Sequence, residues 1–205
     1  MKKLILIGYS GHGYIVCGML QSAGKKKVWA YCDTEEKANN PFGLEYLGPE
    51  TSEKAITALK YNEFFISVGD NKTRHRIAEN LAIQNLFPVK VIHASAMICN
   101  TAKIHTTGVM ISTGVVVNPL AEIGKGVILS SCAVIEHECV IGDFAHIGPG
   151  TVLCGNVTVG ENSFVGAGVV IKQGIVIGRN AIIGAGAVVI RDVPDGVTVK
   201  GCPAK

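Results

Sequence analysis

Residues 134–148 read VIEHECVIGDFAHIG and place His137, Glu138 and His146 among aliphatic residues. An imidazole with an unperturbed pKa of about 6.5 stays neutral at pH 7 and can accept the proton that an attacking amine loses. A neighbouring carboxylate fixes the tautomer of the ring and raises its basicity. This is the arrangement that acyl transfer to an amine needs. We therefore predict that His137 is a general base and that Glu138 orients it.

A period of six residues in the second half of the chain decides which way these side chains point. A small or aliphatic residue stands two positions before each aliphatic residue of the period. Glycine often comes directly after the aliphatic residue of the period. We interpret each hexad as one short strand and one corner, where glycine supplies permissive backbone angles. The aliphatic series is Ile111, Val117, Ile123, Leu129, Ile135, Ile141, Ile147, Leu153, Val159, Val165, Ile171, Ile177, Ile183 and Val189.

Three such hexads form one triangular coil of a parallel β-helix, whose stacked coils bury each other's faces. Because strand side chains alternate, Ala145 and Ile147 point inward, and His146 between them points outward. His137 and Glu138 fall in a corner, where neighbouring side chains can lie side by side. The pair is therefore predicted to lie outside the core, although an isolated His-Glu pair is more often a solvated corner.

The first ninety residues have a different organisation. Short apolar strands are predicted at residues 3–7, 28–32 and 64–68, with helices at 14–22 and 71–85. This alternation indicates an α/β domain with a small parallel sheet over residues 1–88. The β-helix domain then covers residues 89–205. Ile92, Ile98 and Ile104 keep the six-residue spacing one residue out of phase, which predicts a small insertion before Ile111.

Composition and charge exclude several classes of protein. The net charge of +3 is spread along the chain, without the basic stripe that nucleic-acid binding needs. The apolar run of residues 1–7 ends at Gly8, too early for a signal sequence or a membrane span, so we expect a cytoplasmic protein. The seven cysteines lack a CxxC pair, which favours reduced, buried thiols. We also expect no metal.

Several motifs together resemble one family. The hexads and the closing segment VVIRDVPDGVTVKGCPAK resemble the hexapeptide-repeat acyltransferases, whose solenoid is a left-handed parallel β-helix assembled as a homotrimer. With GYSGHG after the first strand, SVGDNKTR after the third and IEHECVIGDFAHI in the solenoid, the chain is similar to UDP-4-amino-sugar N-acetyltransferases of the bacillosamine and perosamine type, and to sialic-acid O-acetyltransferases. The resemblance implies a Rossmann-like N-terminal domain, acetyl-CoA as co-substrate and a role in glycan biosynthesis.

The resemblance also implies positions for acetyl-CoA. It gives His137 and Glu138 the roles of base and orienting partner, with direct attack of the amine on the thioester. His146 would contact the thioester or the pantetheine arm. Ala167 and Ala185 would contact acetyl-CoA through backbone atoms, in a groove between neighbouring solenoids of the trimer.

For the UDP-linked amino sugar, the resemblance implies contacts in the N-terminal domain. Its glycine-rich segment GYSGHG follows the order GxxGxG, and a turn of this kind before a helix presents N–H groups to a phosphate. Ser10, Gly11 and His12 would meet the diphosphate or the sugar. Cys32 and Asp33 would lie at the uridine, with Gly69 alongside.

Two departures from the family pattern leave the acceptor open. Cys32 stands where the bacillosamine-type enzymes can carry a second acid, and Ser130 where they can carry an asparagine beside the catalytic pair. The alternatives are O-acetylation of sialic acid, N-acylation of another nucleotide amino sugar, and a silent sugar-nucleotide binding protein. A zinc lyase of the γ-carbonic-anhydrase type would use His105, His137 and His146, but it would leave Glu138 and the N-terminal domain without a role.

Overall fold

The computed structural model describes residues 3–23 and 27–205. The chain divides into two compact units, which we call unit 1 (Met1–Val91) and unit 2 (Ile92–Lys205). The boundary that the sequence predicts, after residue 88, lies close to this division. Met1 and Lys2, which begin the predicted apolar run, lie outside the described residues.

Over its described residues, unit 1 contains a four-stranded parallel sheet, in the order β3-β2-β1-β4, and three helices. The predicted strands and helices are present, and β3 and α2 were missed. β3 has two residues, and α2 is a polar helix that buries Ala55 and Leu59 and begins at Ser52, whose Oγ accepts the Ala55 N–H at 3.2 Å. The elements are β1 Leu4–Ile7, α1 Gly11–Ala23, β2 Val28–Cys32, β3 Glu45–Tyr46, α2 Glu53–Tyr61, β4 Glu63–Ile66 and α3 Asn71–Ala82.

The strand order predicts where unit 1 would bind a ligand. The chain builds β2 and β3 on one side of β1 and then returns to place β4 on the other side. In open parallel sheets, ligands bind beyond the carboxyl ends of the strands at this change of direction. Here the change lies between β1 and β4. The rule therefore predicts a crevice between residues 8–10, which follow β1, and residues 67–70, which follow β4.

Unit 2 is a parallel β-helix of two-residue strands on three faces, each stacked in register. Successive strands along the chain move from face 1 to face 2 to face 3. Face 1 contains β5 Val91–Ile92, β8 Met110–Ile111, β11 Ile128–Leu129, β14 His146–Ile147, β17 Phe164–Val165, β20 Ile182–Ile183 and β22 Thr198–Val199. Face 2 contains β6 Met97–Ile98, β9 Val116–Val117, β12 Val134–Ile135, β15 Val152–Leu153, β18 Val170–Ile171 and β21 Val188–Val189. Face 3 contains β7 Lys103–Ile104, β10 Glu122–Ile123, β13 Val140–Ile141, β16 Thr158–Val159 and β19 Val176–Ile177.

The core of unit 2 is formed by the aliphatic series that the sequence predicts. All fourteen residues from Ile111 to Val189 are buried in one cluster, and Ile92, Ile98 and Ile104 pack against it. The pairing of Ile104 with Ile123, followed by Ile111 with Leu129, places the extra residue between β7 and β8. Burying a large aliphatic side chain contributes roughly 1.5 to 3 kcal/mol, so the stack of coils stabilises itself.

The glycines that follow the aliphatic series have a different role from the predicted one. Gly124, Gly142 and Gly166 do not have left-handed backbone angles. A Cβ on Gly142 would lie 2.7 Å from the Glu161 nitrogen, and one on Gly166 would lie 2.6 Å from the Ala185 nitrogen. These glycines therefore allow successive coils to approach closely. Left-handed angles occur instead two positions further on, at Gly108, Gly114, Leu120, Gly126, Cys132, Glu138, Phe144, Gly150, Asn156, Asn162, Gly168, Gly174, Asn180 and Gly186.

Candidate active site

His137 and Glu138 form an exposed pair in the corner between faces 2 and 3. The Nδ1 atom of His137 lies 3.0 Å from Oε2 of Glu138, and the two side chains are 50% and 57% exposed. Glu138 occupies the left-handed position of its hexad, with φ 61°. When the carboxylate accepts a hydrogen bond from Nδ1–H, the neutral ring carries its lone pair on Nε2. The arrangement can therefore take a proton from a group that approaches Nε2.

Gly155 lies against the imidazole of His137. It stands eighteen residues after His137, in the same corner of the next coil, and a Cβ on Gly155 would collide with Cε1 and Nε2 of the ring. The φ of Gly155 is not left-handed, so the absence of a side chain is what matters here. No sequence pattern marks Gly155, because its partner is a side chain of the preceding coil.

His146 lies on the outer side of face 1, as the alternation of strand side chains predicts, but it is only 6% exposed. Its Nε2 atom is 3.0 Å from the Ser130 hydroxyl, and the Phe164 ring stands perpendicular to it with centroids 5.1 Å apart. Ser130, predicted beside the catalytic pair, thus contacts His146. Contact of His146 with acetyl-CoA stays a prediction.

Ala167 and Ala185 are exposed and stack in the corner between faces 1 and 2. Gly148 leaves room for the Ala167 backbone, since a Cβ there would lie 2.7 Å from the Ala167 nitrogen. The corner of His137 is a different edge of the triangular solenoid. Within one chain, the structure therefore does not bring the two alanines together with His137.

In unit 1, the turn after β1 is packed closely against its neighbours. Gly8 has φ 90°, and a Cβ there would lie 2.7 Å from Cγ2 of Val68. A Cβ on Gly13 would lie 2.9 Å from the Gly8 carbonyl oxygen, so the glycine lets α1 approach the turn. Ser10 and Gly11 are exposed at the start of α1, where the first N–H groups of a helix lack intrahelical acceptors. Their position suits an anion.

Both carboxylate oxygens of Asp33 interact with other groups of unit 1. Oδ2 accepts the Tyr9 N–H at 2.9 Å, and Oδ1 accepts the Thr34 N–H at 2.8 Å. Lys37 Nζ lies 3.2 Å from Oδ1. The carboxylate therefore holds the turn after β1 against the end of β2, and its contact with uridine stays a prediction.

Cys32 has no accessible side chain. Its thiol belongs to the core of unit 1, and burial raises its pKa to about 12. The predicted contact with uridine is therefore not open to the Cys32 thiol, because strand alternation turns this side chain inward. The carbonyl of Cys32 accepts the Gly8 N–H at 2.8 Å.

His12 and Gly69 come together from the two sides of the β1/β4 crevice. A Cβ on Gly69 would lie 2.7 Å from Cε1 and 2.8 Å from Nδ1 of His12, so the imidazole rests directly on the glycine. Burial and, to a lesser extent, Arg74 lower the pKa of His12. Both effects favour the neutral form of the His12 ring.

Comparisons with known proteins match both units. The model of the PglD N-terminal domain matches residues 3–81, bacterial transferase hexapeptide repeats match residues 138–173, and the hexapeptide repeat of succinyl-transferase matches residues 156–191. GDP-perosamine N-acetyltransferase from Caulobacter crescentus, solved as a variant with CoA and GDP-perosamine, superposes with a TM-score of 0.92. It is 32% identical, over 100% of this chain and 96% of that chain. The chain belongs to this family of hexapeptide-repeat sugar N-acetyltransferases.

Two other members of the N-acetyltransferase family are similar to the chain. The acetyltransferase domain of PglB from Neisseria gonorrhoeae FA1090, solved with acetyl coenzyme A, has a TM-score of 0.92 and 32% identity, with 100% of this chain and 98% of that chain covered. UDP-N-acetylbacillosamine N-acetyltransferase from Bacillus subtilis (strain 168) is 34% identical over 108 residues. That match spans 51% of this chain and about half of the curated relative, 49%.

These matches confirm the family that the sequence resembles, and the fold class of an α/β domain followed by a left-handed parallel β-helix. Over residues 3–23 and 27–205, no three His, Cys, Asp or Glu side chains are grouped to hold a metal ion. In the same part of the chain, no helix has the length and apolar character needed to cross a membrane.

Proposed function

We propose that the protein transfers the acetyl group of acetyl-CoA to the 4-amino group of a UDP-linked amino-dideoxy sugar. The amine attacks the thioester carbonyl directly, the C–N bond forms and the C–S bond breaks. Nε2 of His137 takes the proton that the amine loses and can return it to the departing thiolate of CoA. The observation that carries the proposal is the exposed His137–Glu138 pair with Nδ1 held by the carboxylate.

The relatives support the donor and the class of acceptor. Solved relatives hold CoA with GDP-perosamine, or acetyl coenzyme A, and the curated relative is named for a UDP-linked sugar. We assign the nucleotide to the β1/β4 crevice of unit 1, with Ser10, Gly11 and His12 at the diphosphate or sugar. Glu138 and the crevice have a role in acetyl transfer and none in a zinc lyase, which favours the transferase.

A homotrimer accounts for the placement of Ala167 and Ala185. Because these alanines and His137 occupy different corners, a site that uses all three requires two chains. Face 2, which lies between the two corners, is apolar on its outer side along its whole length, and another copy of the chain would bury it. The outer residues of face 2 are Met97, Val116, Val134, Val152, Val170 and Val188.

The trimer is tested by light scattering after size-exclusion chromatography. We expect Val152→Lys on face 2 to yield a smaller species, while Thr158→Lys on face 3 leaves the trimer intact. A wild-type monomer would contradict the proposed assembly.

The reaction is tested with acetyl-CoA and a panel of UDP-, GDP- and dTDP-linked 4-amino sugars and sialic acid, with products identified by mass. We expect His137→Ala to lose roughly 10²- to 10⁴-fold in turnover, the range for a general base. CoA binding measured by calorimetry should be retained. His105→Ala, which removes another exposed solenoid histidine, serves as the control. Near-normal turnover by His137→Ala would exclude it as the base, and UDP-sugar binding without CoA turnover would indicate a silent binding protein.

A further inference from the structure

Arg74 is a buried cation in unit 1 that the predicted site does not include. It lies in α3 and is 1% exposed, and burial lowers its pKa to about 10. A charge at such depth is costly unless its donors are hydrogen-bonded. Nη1 donates to the carbonyl oxygens of Val68 and Gly69, both at 3.0 Å, and Nη2 donates to Oδ1 of Asn71 at 2.9 Å.

The two carbonyls that Arg74 holds belong to the segment after β4 that faces the crevice. The same segment is fixed to the turn after β1, because the Ser67 hydroxyl donates to the Gly8 carbonyl at 2.6 Å. Val68 in turn packs on Gly8, where a Cβ would lie 2.7 Å from its Cγ2 atom. Arg74 therefore stabilises one side of the crevice from beneath.

Gly69, one of the two residues that Arg74 holds, is also the residue on which His12 rests. We propose that Arg74 is a positioning residue of the nucleotide-sugar site, which fixes Val68 and Gly69 so that Gly69 supports the His12 imidazole in its substrate-binding orientation. The inference rests on the proposed function, in which His12 contacts the diphosphate or the sugar.

Arginine suits this position better than lysine. The planar guanidinium donates in fixed directions, and here two of its nitrogens reach three acceptors on a carbonyl pair and a side chain. A lysine ammonium would supply the positive charge but not the fixed donor directions of the guanidinium. Burial and, to a lesser extent, the positive charge of Arg74 lower the pKa of His12, which favours a neutral ring as the hydrogen-bonding group toward the substrate.

The test compares Arg74→Lys, Arg74→Met and Gly69→Ala with Arg76→Lys, an exposed arginine of the same helix. We expect the KM for the nucleotide sugar to rise roughly tenfold in Arg74→Lys and in Gly69→Ala, with kcat and the KM for acetyl-CoA nearly unchanged; tenfold corresponds to about 1.4 kcal/mol. Gly69→Ala displaces His12 without removing Arg74. Arg76→Lys should match the wild type.

A second readout needs no substrate. NMR titration of the histidine rings in the ligand-free protein should show a higher pKa for His12 in Arg74→Met than in the wild type, and an altered ring environment in Arg74→Lys.

Unchanged kinetics and unchanged His12 signals in Arg74→Lys would overturn the proposal, as would an equal rise of both KM values. If Arg74→Met does not fold, the results for Arg74→Lys and Gly69→Ala decide whether the proposal holds. If the wild type accepts no nucleotide amino sugar, the proposed function fails, whereas the ring titration still tests the support of His12 by Arg74.

Discussion

Two histidines in different units each rest on a glycine, but the charged groups beside them have opposite signs. His137 rests on Gly155 in the solenoid, and His12 rests on Gly69 in the α/β unit. In both places a Cβ would occupy the position of the ring. The partner of His137 is the carboxylate of Glu138 at 3.0 Å, whereas His12 lies near the buried cation of Arg74 and has a lowered pKa. A glycine can thus leave room for an imidazole in both units, while the neighbouring charged group differs: a carboxylate that accepts from Nδ1 of His137, and a buried guanidinium near His12.

The Glu138 carboxylate contacts the proposed base directly, so its removal should have the largest effect on kcat. In Glu138→Gln the neutral amide no longer stabilises the protonated imidazole. We expect kcat to fall on the order of 10²-fold, within the range of general-base catalysis, with the KM for acetyl-CoA retained. Steady-state kinetics with a saturating acceptor measures it. Glu136→Gln, in the same corner, is the matched control, and an equal loss in both variants would contradict a specific role for Glu138.

The glycine beneath the ring should matter less than the carboxylate. In Gly155→Ala the new Cβ displaces Cε1 and Nε2 of His137, while the backbone φ suits alanine. We expect kcat to fall roughly tenfold, less than the 10²-fold cost of a misplacement by one ångström, because the ring can rotate away.

Kinetics and CoA calorimetry on Gly155→Ala measure this effect. Gly18→Ala in α1, where a Cβ meets nothing within 4 Å, is the control and should keep full activity. If Gly155→Ala turns over like the wild type, the glycine does not position the base.

The inner surface of the solenoid and the outline of unit 1 were predictable from sequence because burial repeats the same kind of residue at a fixed period. From Ile111 to Val189 every sixth residue is aliphatic and buried. The role of Gly124, Gly142 and Gly166 was predicted wrongly, because a sequence does not distinguish a glycine needed for its angles from one needed for close approach. The burial of His146 depends on Ser130 and Phe164, which lie in adjacent coils.

Arg74 was missed for a related reason. Its acceptors at Val68 and Gly69 are backbone carbonyls, which every residue carries, so no pattern of side chains marks them. The motif SVGDNKTR contains the arginine, but its burial appears only when α3 packs on the sheet. By contrast, His137 and Glu138 are adjacent in sequence, and their proximity needs no tertiary information.

The backbone conformation of Glu138 should also lower the stability of the protein, whereas that of His12 should not. Its φ of 61° lies in the left-handed region, which costs a residue other than glycine or asparagine roughly 1 to 2 kcal/mol. Glu138→Asn should therefore have a free energy of unfolding higher than the wild type by up to about 1 kcal/mol, and should unfold at a higher urea concentration. Its shorter side chain loses contact with His137, so turnover should fall. Glu138→Gln keeps the strain and is the control. Equal urea midpoints for the two variants would show that the backbone angle costs nothing.

The smallest effect concerns His12 and the pH dependence of unit 1. Burial and Arg74 lower the pKa of His12 below its ordinary value of 6.5, so well above pH 6.5 the ring is neutral in both the folded and the unfolded chain. As the pH falls below 6.5, the unfolded chain binds the proton first, and stability is lost until the pH passes the folded pKa. Urea unfolding followed by the fluorescence of Trp29, the one tryptophan of the chain, reports on unit 1. Between pH 8 and pH 5, the midpoint should fall less in His12→Gln than in the wild type, and an identical fall in both would show that His12 is not held neutral.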